Sequence, residues 1–463
     1  MFMPNITSES AFDMDKKHFI HPYTDFSTFE DEGSQVITDA TGMYVTDAQN
    51  KKYLDGIAGL WCVNIGHGRQ EMADAISKQV TSMQYYNTFG HSTNEPASQL
   101  AAKLAQLAPS TLNHVFYGCG GSVANDTAVR LVHYYFNMKG QPNKKKIISR
   151  NDGYHGSTYL AAALTGIQGV KYSFDAADDL VDYVSAANMY RRPVGTESFS
   201  EAAYCDYLVD EFENRILQMG ADNVAAFIAE PLMGAGGVLV APDGYFKRMY
   251  AICKKYDMLF ISDEVVTAFG RLGKMFASED LYGVTPDILC MAKGLTSGYL
   301  PLGVTMISDD MYAEINKPQC AGGLLSHGFT YSGHPVACAA ALKNIEIMES
   351  EGLCEHVQEV GPYFLAQAKK LEALSIVGDV RGSHLMVGIE LVQDKATKAS
   401  FPYDLAVTHR IFKKCLELGV VVRPVGNVIV LSPPLIITKE QTDILFKAIE
   451  EGIKVVAEEL KLD

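Results

Sequence analysis

Apolar and polar positions change rhythm twice along the chain. Up to about residue 65 the apolar positions come in short, broken runs that read as strands and turns. There "GMYVTDAQNKKYLDG" (42–56) predicts a hairpin with a polar turn at Asp47 to Asn50. From about residue 70, compact apolar runs alternate with helical patterns. "NHVFYG", "KKIISR", "VAAFIAEP", "MLFISDE", "DILCMAKG" and "PLGVTMIS" read as buried strands. Between them, "GYFKRMYAICKKYD" places Phe246, Met249, Tyr250 and Cys253 at helical spacing. Such alternation predicts an α/β fold with a mostly parallel sheet covered by helices.

After "TYSGHP" the pattern changes again. The helical "VACAAALKNIEIMES" leads into mixed helices and strands, among them "HLMVGIELV" and "NVIVLSPPL", and the last helix carries a capping box, Thr438 with Gln441. Three regions follow: an N-terminal segment, 1–65, packing with the last; a large domain, 66–333; and a smaller α+β domain, 334–463. Residues 168–210 have few periodic signals and predict a long surface excursion. No internal repeat or low-complexity segment interrupts the pattern.

Composition narrows the options. The chain has 463 residues, 48% of them hydrophobic and 20% charged, enough for a large core. Its formal net charge of −16 repels nucleic acid and anionic membrane, so neither is an expected partner. An anionic ligand would need local positive devices. Apolar runs such as Val428 to Leu431 are far too short to cross a bilayer. The start, "MFMPNITSES", lacks a basic region followed by an apolar stretch, so the Asn5–Thr7 sequon carries no expected glycan. Nine cysteines without a C-x-x-C pair fit free thiols in a reducing cytoplasm, the expected location, and no metal site is expected.

In open α/β sheets ligands bind beyond the carboxyl ends of the strands. At those ends stand Cys119-Gly120-Gly121-Ser122, Tyr154-His155-Gly156, Glu230, Asp263 and Lys293. The glycine–serine turn opens a helix and can present N–H groups to a phosphate, although glycine turns are common. It has neither the lysine of a P-loop nor a dinucleotide fingerprint, and "MGAGGV" (233–238) fails that fingerprint too. Asp263 either sits solvated at the sheet edge or holds a cationic ring nitrogen. Lys293 either caps its strand and reaches water, or forms an imine from a partly desolvated amine. One cofactor uses all of these together. Pyridoxal 5'-phosphate needs a lysine for its aldehyde, an acid for its pyridine nitrogen and an anion cradle, with Tyr154 stacking on the ring.

The chain then resembles a class III, fold-type I aminotransferase of the amine–pyruvate or ω-transaminase branch, over nearly its whole length. The motifs are "YHGST" (154–158), "AEPLMGAGGV" (229–238), "DEVVTAFGRLG" (263–273), "AKGLTSGYLPLG" (292–303) and "HGFTYSGHP" (327–335). The resemblance implies a seven-stranded, mostly parallel sheet sandwiched by helices, with the smaller domain built from both chain ends. It implies Lys293 as the Schiff-base lysine and Asp263 as the acid on the pyridine nitrogen. Val265, Tyr154, His155 and Glu230 then surround the ring, and Gly121 and Ser122 hold the phosphate. Thr330 would reach the phosphate from a second subunit, hence a homodimer (or tetramer) with shared sites. Tyr23, Trp61, Phe89, Tyr154 and Ala235 would line the amine pocket, and Arg423 would pair with the acceptor's carboxylate.

The implied reaction moves an amino group from an amine or ω-amino acid to a 2-oxo acid, with pyruvate as acceptor and S-selectivity, by a ping-pong course. Polyamines, β-alanine-like acids and arylalkylamines all remain open as donors. Val123, Ala268 and Leu272 depart from the family's usual glutamate, glycine and threonine. The rivals are an aminomutase, racemase or decarboxylase on the same scaffold, or a phosphate-ligand-binding protein without catalysis. A nicotinamide oxidoreductase is disfavoured by the missing fingerprint.

Overall fold

The computed structural model describes residues 10–172, 174–317 and 324–462; the Asn5–Thr7 sequon lies outside them. The hairpin forms as predicted. Strands β1 (Ile37–Thr41), β2 (Tyr44–Asp47) and β3 (Lys52–Asp55) pair antiparallel in succession. Asp47 Oδ1 accepts the backbone N–H groups of Gln49 and Lys51, both at 2.9 Å, and Asn50 takes the left-handed conformation the turn requires.

The large sheet holds seven strands: β4 (Leu112–Gly118), β5 (Lys146–Arg150), β6 (Val181–Val184), β7 (Val224–Ala229), β8 (Leu259–Asp263), β9 (Ile288–Met291) and β10 (Gly303–Ser308), in the order β4-β10-β9-β8-β7-β5-β6. Only β10 runs against its neighbours, antiparallel to both β4 and β9. Every residue of β7, β8, β9 and β10 is buried. That explains their near-continuous apolar sequences, since a parallel sheet is covered on both faces. The helices Gly121–Met138, Glu201–Met219 and Tyr245–Lys255 each turn an apolar face inward.

The C-terminal part builds a third sheet from β11 (Val377–Ser383), β12 (Met386–Leu391), β14 (Arg423–Val425) and β15 (Val428–Leu431), all antiparallel. Its two-residue strand β13 (Val420–Val421) instead joins the N-terminal hairpin, parallel to β3. The capping box at Thr438 is formed. Among the described residues, no helix is long and apolar enough to cross a membrane.

Two expectations need correction. Residues 168–210 are not one surface excursion. Strand β6 lies within them as the sheet's edge, parallel to β5, and the helix Glu201–Met219 starts inside them. The strand is four residues long with only its end residues buried, too short to read as an apolar run. The helix's buried face, Tyr204, Cys205, Leu208, Val209, Phe212 and Ile216, runs on past residue 210. The N-terminal segment also contains helices, Ala11–His18 and Phe26–Glu32. Neither buries a residue, so no periodicity marks them. Ser10, whose N–H in turn donates to the Asp13 carboxylate, and Asp25 cap them instead.

Candidate active site

A pocket of about 530 Å³ opens beyond the carboxyl ends of the central strands. Its floor is made where β5, β7, β8 and β9 stop. Asp263, the last residue of β8, is 3% exposed. Its Oδ2 accepts from His155 Nδ1 and from Asn125 Nδ2, both at 2.7 Å, and its Oδ1 accepts the Val265 N–H at 3.1 Å. The bond to a carboxylate acceptor places a proton on His155 Nδ1. Glu264 points the other way, as strand alternation requires, and accepts the N–H groups of Ala277 and Ser278 in the core. Glu230, just past β7, accepts Tyr154 N–H at 3.0 Å and Gly234 N–H at 2.8 Å. Burial pushes its carboxyl above the usual range.

Lys293 follows β9 with φ +43°, a left-handed conformation that costs a non-glycine residue about 1–2 kcal/mol. It borders the pocket, and its Nζ has no hydrogen-bond or ion-pair partner among the described residues. Desolvation lowers its pKa, while the carboxylates of Asp263 and Glu230 act in the opposite direction. Such an amine is a better nucleophile and base near neutral pH than an exposed lysine.

On the third side lies the start of the helix Gly121–Met138, whose N-terminus no side chain caps. Its free N–H groups and the Ser122 hydroxyl make an anion cradle. The glycines here are steric requirements. A Cβ on Gly156, at φ +136°, would stand 2.4 Å from Ser122 Oγ, and one on Gly121 would stand 2.9 Å from a Val265 methyl. Amine, acid, ring-sized slot and anion cradle therefore converge on one pocket, which is the donor set pyridoxal phosphate needs.

The mouth is built differently. Tyr23, from the N-terminal segment, lies 3.1 Å from Tyr154 and 2.9 Å from Ser157 through its hydroxyl, and the Tyr154 and Ser157 hydroxyls are 3.0 Å apart. Burial, above all, raises the Tyr154 phenol to about 12. Arg423, on β14, borders the pocket with a guanidinium that has no hydrogen-bond or ion-pair partner among the described residues, and burial pushes that guanidinium's pKa down. Trp61 and Ala235 also line the pocket.

Of the residues singled out in the sequence, Phe89 and Thr330 are not brought into this pocket. Phe89 is 53% exposed and packs beside Gly328. The Thr330 carbonyl accepts from the Tyr85 hydroxyl at 2.7 Å on a separate surface that includes the exposed Tyr331. Conversely, Asn125, Ser157, Ile167, Val170 and Val266 contribute without having been anticipated. Asn125 had a signal, because it stands one helical turn after Ser122 on the same face. Ile167 and Val170 fall at the edge of the stretch that lacks periodicity and had none.

Known proteins match this chain closely. The family model for class-III aminotransferases fits residues 28–453. A putrescine–pyruvate aminotransferase of Pseudomonas aeruginosa is 41% identical over 431 residues, 93% of this chain and 92% of that protein. A mitochondrial gamma-aminobutyrate transaminase of Oryza sativa subsp. indica is 39% identical, over 98% of this chain and 87% of its own length. Among solved structures, a thermostable (S)-enantioselective ω-transaminase from Thermomicrobium roseum superposes with a TM-score of 0.93 at 40% identity, covering 96% of this chain and 98% of that one.

Proposed function

From the premise that this chain belongs to the class-III aminotransferases, we propose a role for each side of its pocket. The enzyme depends on pyridoxal phosphate and moves an amino group from an amine or ω-amino acid to a 2-oxo acid. Within that reaction, Lys293 is the residue that binds the cofactor's aldehyde, Asp263 meets the ring nitrogen, and Gly121 with Ser122 holds the phosphate. What carries this reading is the convergence of an unpaired amine, a clamped carboxylate and an uncapped helix start on one pocket. The bound cofactor supplies a carbonyl that takes up the amino group and a protonated ring that accepts the electron pair released at the donor carbon.

The chain supplies the rest. Lys293 Nζ would hold the cofactor's aldehyde and, once free, would serve as the base for the donor carbon's proton and as the acid that gives it back. Asp263, held by His155, Asn125 and the Val265 N–H, keeps a proton at the ring nitrogen. Val265 and Tyr154 confine the ring. Trp61, Tyr23 and Ala235 bound the space for the amine's substituent. In the second half-reaction the unpaired Arg423 fork receives the carboxylate of the 2-oxo acid. Pyruvate as acceptor and an S-configured donor agree with the named activities of the relatives.

Phe89 and Thr330 take part from a second subunit, so the working unit is a homodimer. In support, both lie outside this chain's pocket on a surface with exposed Tyr86, Phe89 and Tyr331. Segments 1–65 and 334–463 act as one unit at the mouth, consistent with the pairing of β3 with β13. The test is a donor panel with pyruvate, reading alanine. Without acceptor, a transaminase turns over once and yields stoichiometric aldehyde or ketone and aminated cofactor. A racemase, aminomutase or decarboxylase yields no such pair, and that result would overturn the reading.

A further inference from the structure

The turn after β9 carries two non-glycine residues in the left-handed region, Lys293 at φ +43° and Ser297 at +48°. A backbone of this kind persists only where its surroundings over-determine it. The surroundings here include one fully buried amide from a distant helix. Asn344, on the helix Pro335–Ser350, donates through Nδ2 to the carbonyls of Gly294 at 2.8 Å and Leu295 at 3.0 Å, the two residues after Lys293. Its Oδ1 accepts from the Ser297 hydroxyl at 2.6 Å. That hydroxyl accepts the Ile65 N–H at 3.2 Å.

The turn is held from its other side as well. A Cβ on Gly294 would stand 2.3 Å from Asn64 Nδ2, so the Asn64 amide lies directly over the turn. Asn64 itself is fixed by donating to the Phe269 carbonyl at 2.6 Å and accepting from Arg271 Nη2 at 2.9 Å. Both Asn64 and Ile65 belong to the loop that leaves Trp61. The turn bearing the amine and the loop bearing a pocket aromatic are therefore joined by one chain of buried polar groups, with Asn344 at its root.

Packing alone does not ask for an amide there. Asn344 shares its helix with buried Cys338, Ala341, Ile345 and Met348, and an apolar residue would suit that face and the helix better. A buried amide is favourable where its partners need it, because the carbonyls of Gly294 and Leu295 would otherwise be left without this donor.

We infer that Asn344 is a positioning residue for transamination: by holding the two carbonyls after Lys293 and the Ser297 hydroxyl, it sets where Lys293 Nζ stands in the pocket. This rests on Lys293 being the cofactor lysine. The first step is therefore borohydride reduction of the wild-type holoenzyme and mapping of the modified residue. An adduct on another lysine would refute that premise and leave nothing for Asn344 to position.

With the adduct on Lys293, three variants decide the inference: Asn344→Ala, Ser297→Ala and, as a packing control on the same helix, Ile345→Val. Asn344→Ala is expected to lower kcat about ten-fold while KM for the amine stays within about three-fold. It is also expected to shift the pH midpoint of the resting enzyme's absorbance by more than about half a unit. Ser297→Ala should move both quantities in the same direction by less, and it decides alone if Asn344→Ala does not fold. Ile345→Val should lower Tm and move neither. Unchanged kcat and midpoint in the folded amide and hydroxyl variants, or an equal shift in Ile345→Val, would overturn the proposal.

Discussion

The floor and the mouth of the pocket are made by opposite means. The floor stands on strand ends. Asp263 ends its strand, Glu230 and Lys293 stand one and two residues past the ends of the strands on either side, and the two carboxylates are tied by backbone and side-chain donors. The mouth is gathered from both ends of the chain. Tyr23 is 66% exposed, Arg423 lies on a three-residue strand of a different sheet, and Phe89 and Thr330 point elsewhere. Rigid, buried positions suit groups that must hold protons at fixed atoms. Positions off the central sheet, fully or partly exposed, suit groups that in the proposed reaction accept both an apolar amine and a carboxylate.

The largest effect should come from the centre of the floor. Lys293→Ala is expected to lower turnover by about four orders of magnitude, since in the proposed role one group supplies both the imine partner and the proton carrier. Steady-state kinetics with cofactor in excess will read it. Residual activity near that of wild type would erase the distinction between floor and mouth. Asp263→Asn should come next, with a loss of about a hundred-fold in kcat and partial retention of cofactor. Its companion Asn125→Ala should lose less, because His155 and the Val265 N–H would still hold the carboxylate.

The first prediction for the mouth has a different kinetic signature. Arg423→Ala should raise KM for pyruvate about 10–30-fold, the worth of a charged hydrogen-bonded pair, and leave KM for an arylalkylamine nearly unchanged. An equal rise for both substrates would mean that Arg423 shapes the whole pocket rather than reading a carboxylate.

The same contrast separates what the sequence disclosed from what it hid. Strands β7 to β10 were legible because burial on both faces makes them unbroken apolar runs. The floor followed from them, because a charged residue at the end of such a run is conspicuous. Strand β6, short and half-exposed, left no comparable trace, and the helix Ala11–His18, held by its cap and burying nothing, left none either. At the mouth, composition and spacing said nothing of Tyr23 or Arg423, which came from family resemblance alone. Even within the floor, Asn125 has only its spacing from Ser122 to mark it, and Asn344 has nothing. A polar side chain inside a helix shows its partners only once the helix is docked.

Stability offers a smaller test of the floor. Burial depresses the Lys293 pKa, so in the cofactor-free chain the folded state binds this proton less tightly than the unfolded state, whose lysine titrates near 10.5. Between those two values stability rises with pH, and below the folded value the penalty for the buried ammonium is present in full. Lys293→Met removes that penalty. Cofactor-free Lys293→Met should therefore melt higher than cofactor-free wild type at neutral pH, by on the order of 2 °C, with the gap narrowing as pH approaches 10. A gap that is constant with pH would assign the gain to packing.

The smallest expected effect belongs to the hydroxyl cluster at the mouth. In Tyr23→Phe the ring stays and only one hydroxyl leaves. Tyr154 and Ser157 remain bonded to each other at 3.0 Å, and Ser157 N–H still donates to Ser122 Oγ at 3.1 Å, so the path from mouth to phosphate cradle is intact. A solvent-exposed hydrogen bond lost in this way is worth about 0.5 kcal/mol, or a factor of about two, and it should appear in KM for the amine and not in kcat. Ser157→Ala removes the member that bonds to both phenols and should exceed Tyr23→Phe. If Tyr23→Phe instead lowered kcat ten-fold, the N-terminal segment would be part of the chemical machinery, and the division between a rigid floor and an adjustable mouth would have to be redrawn to include it.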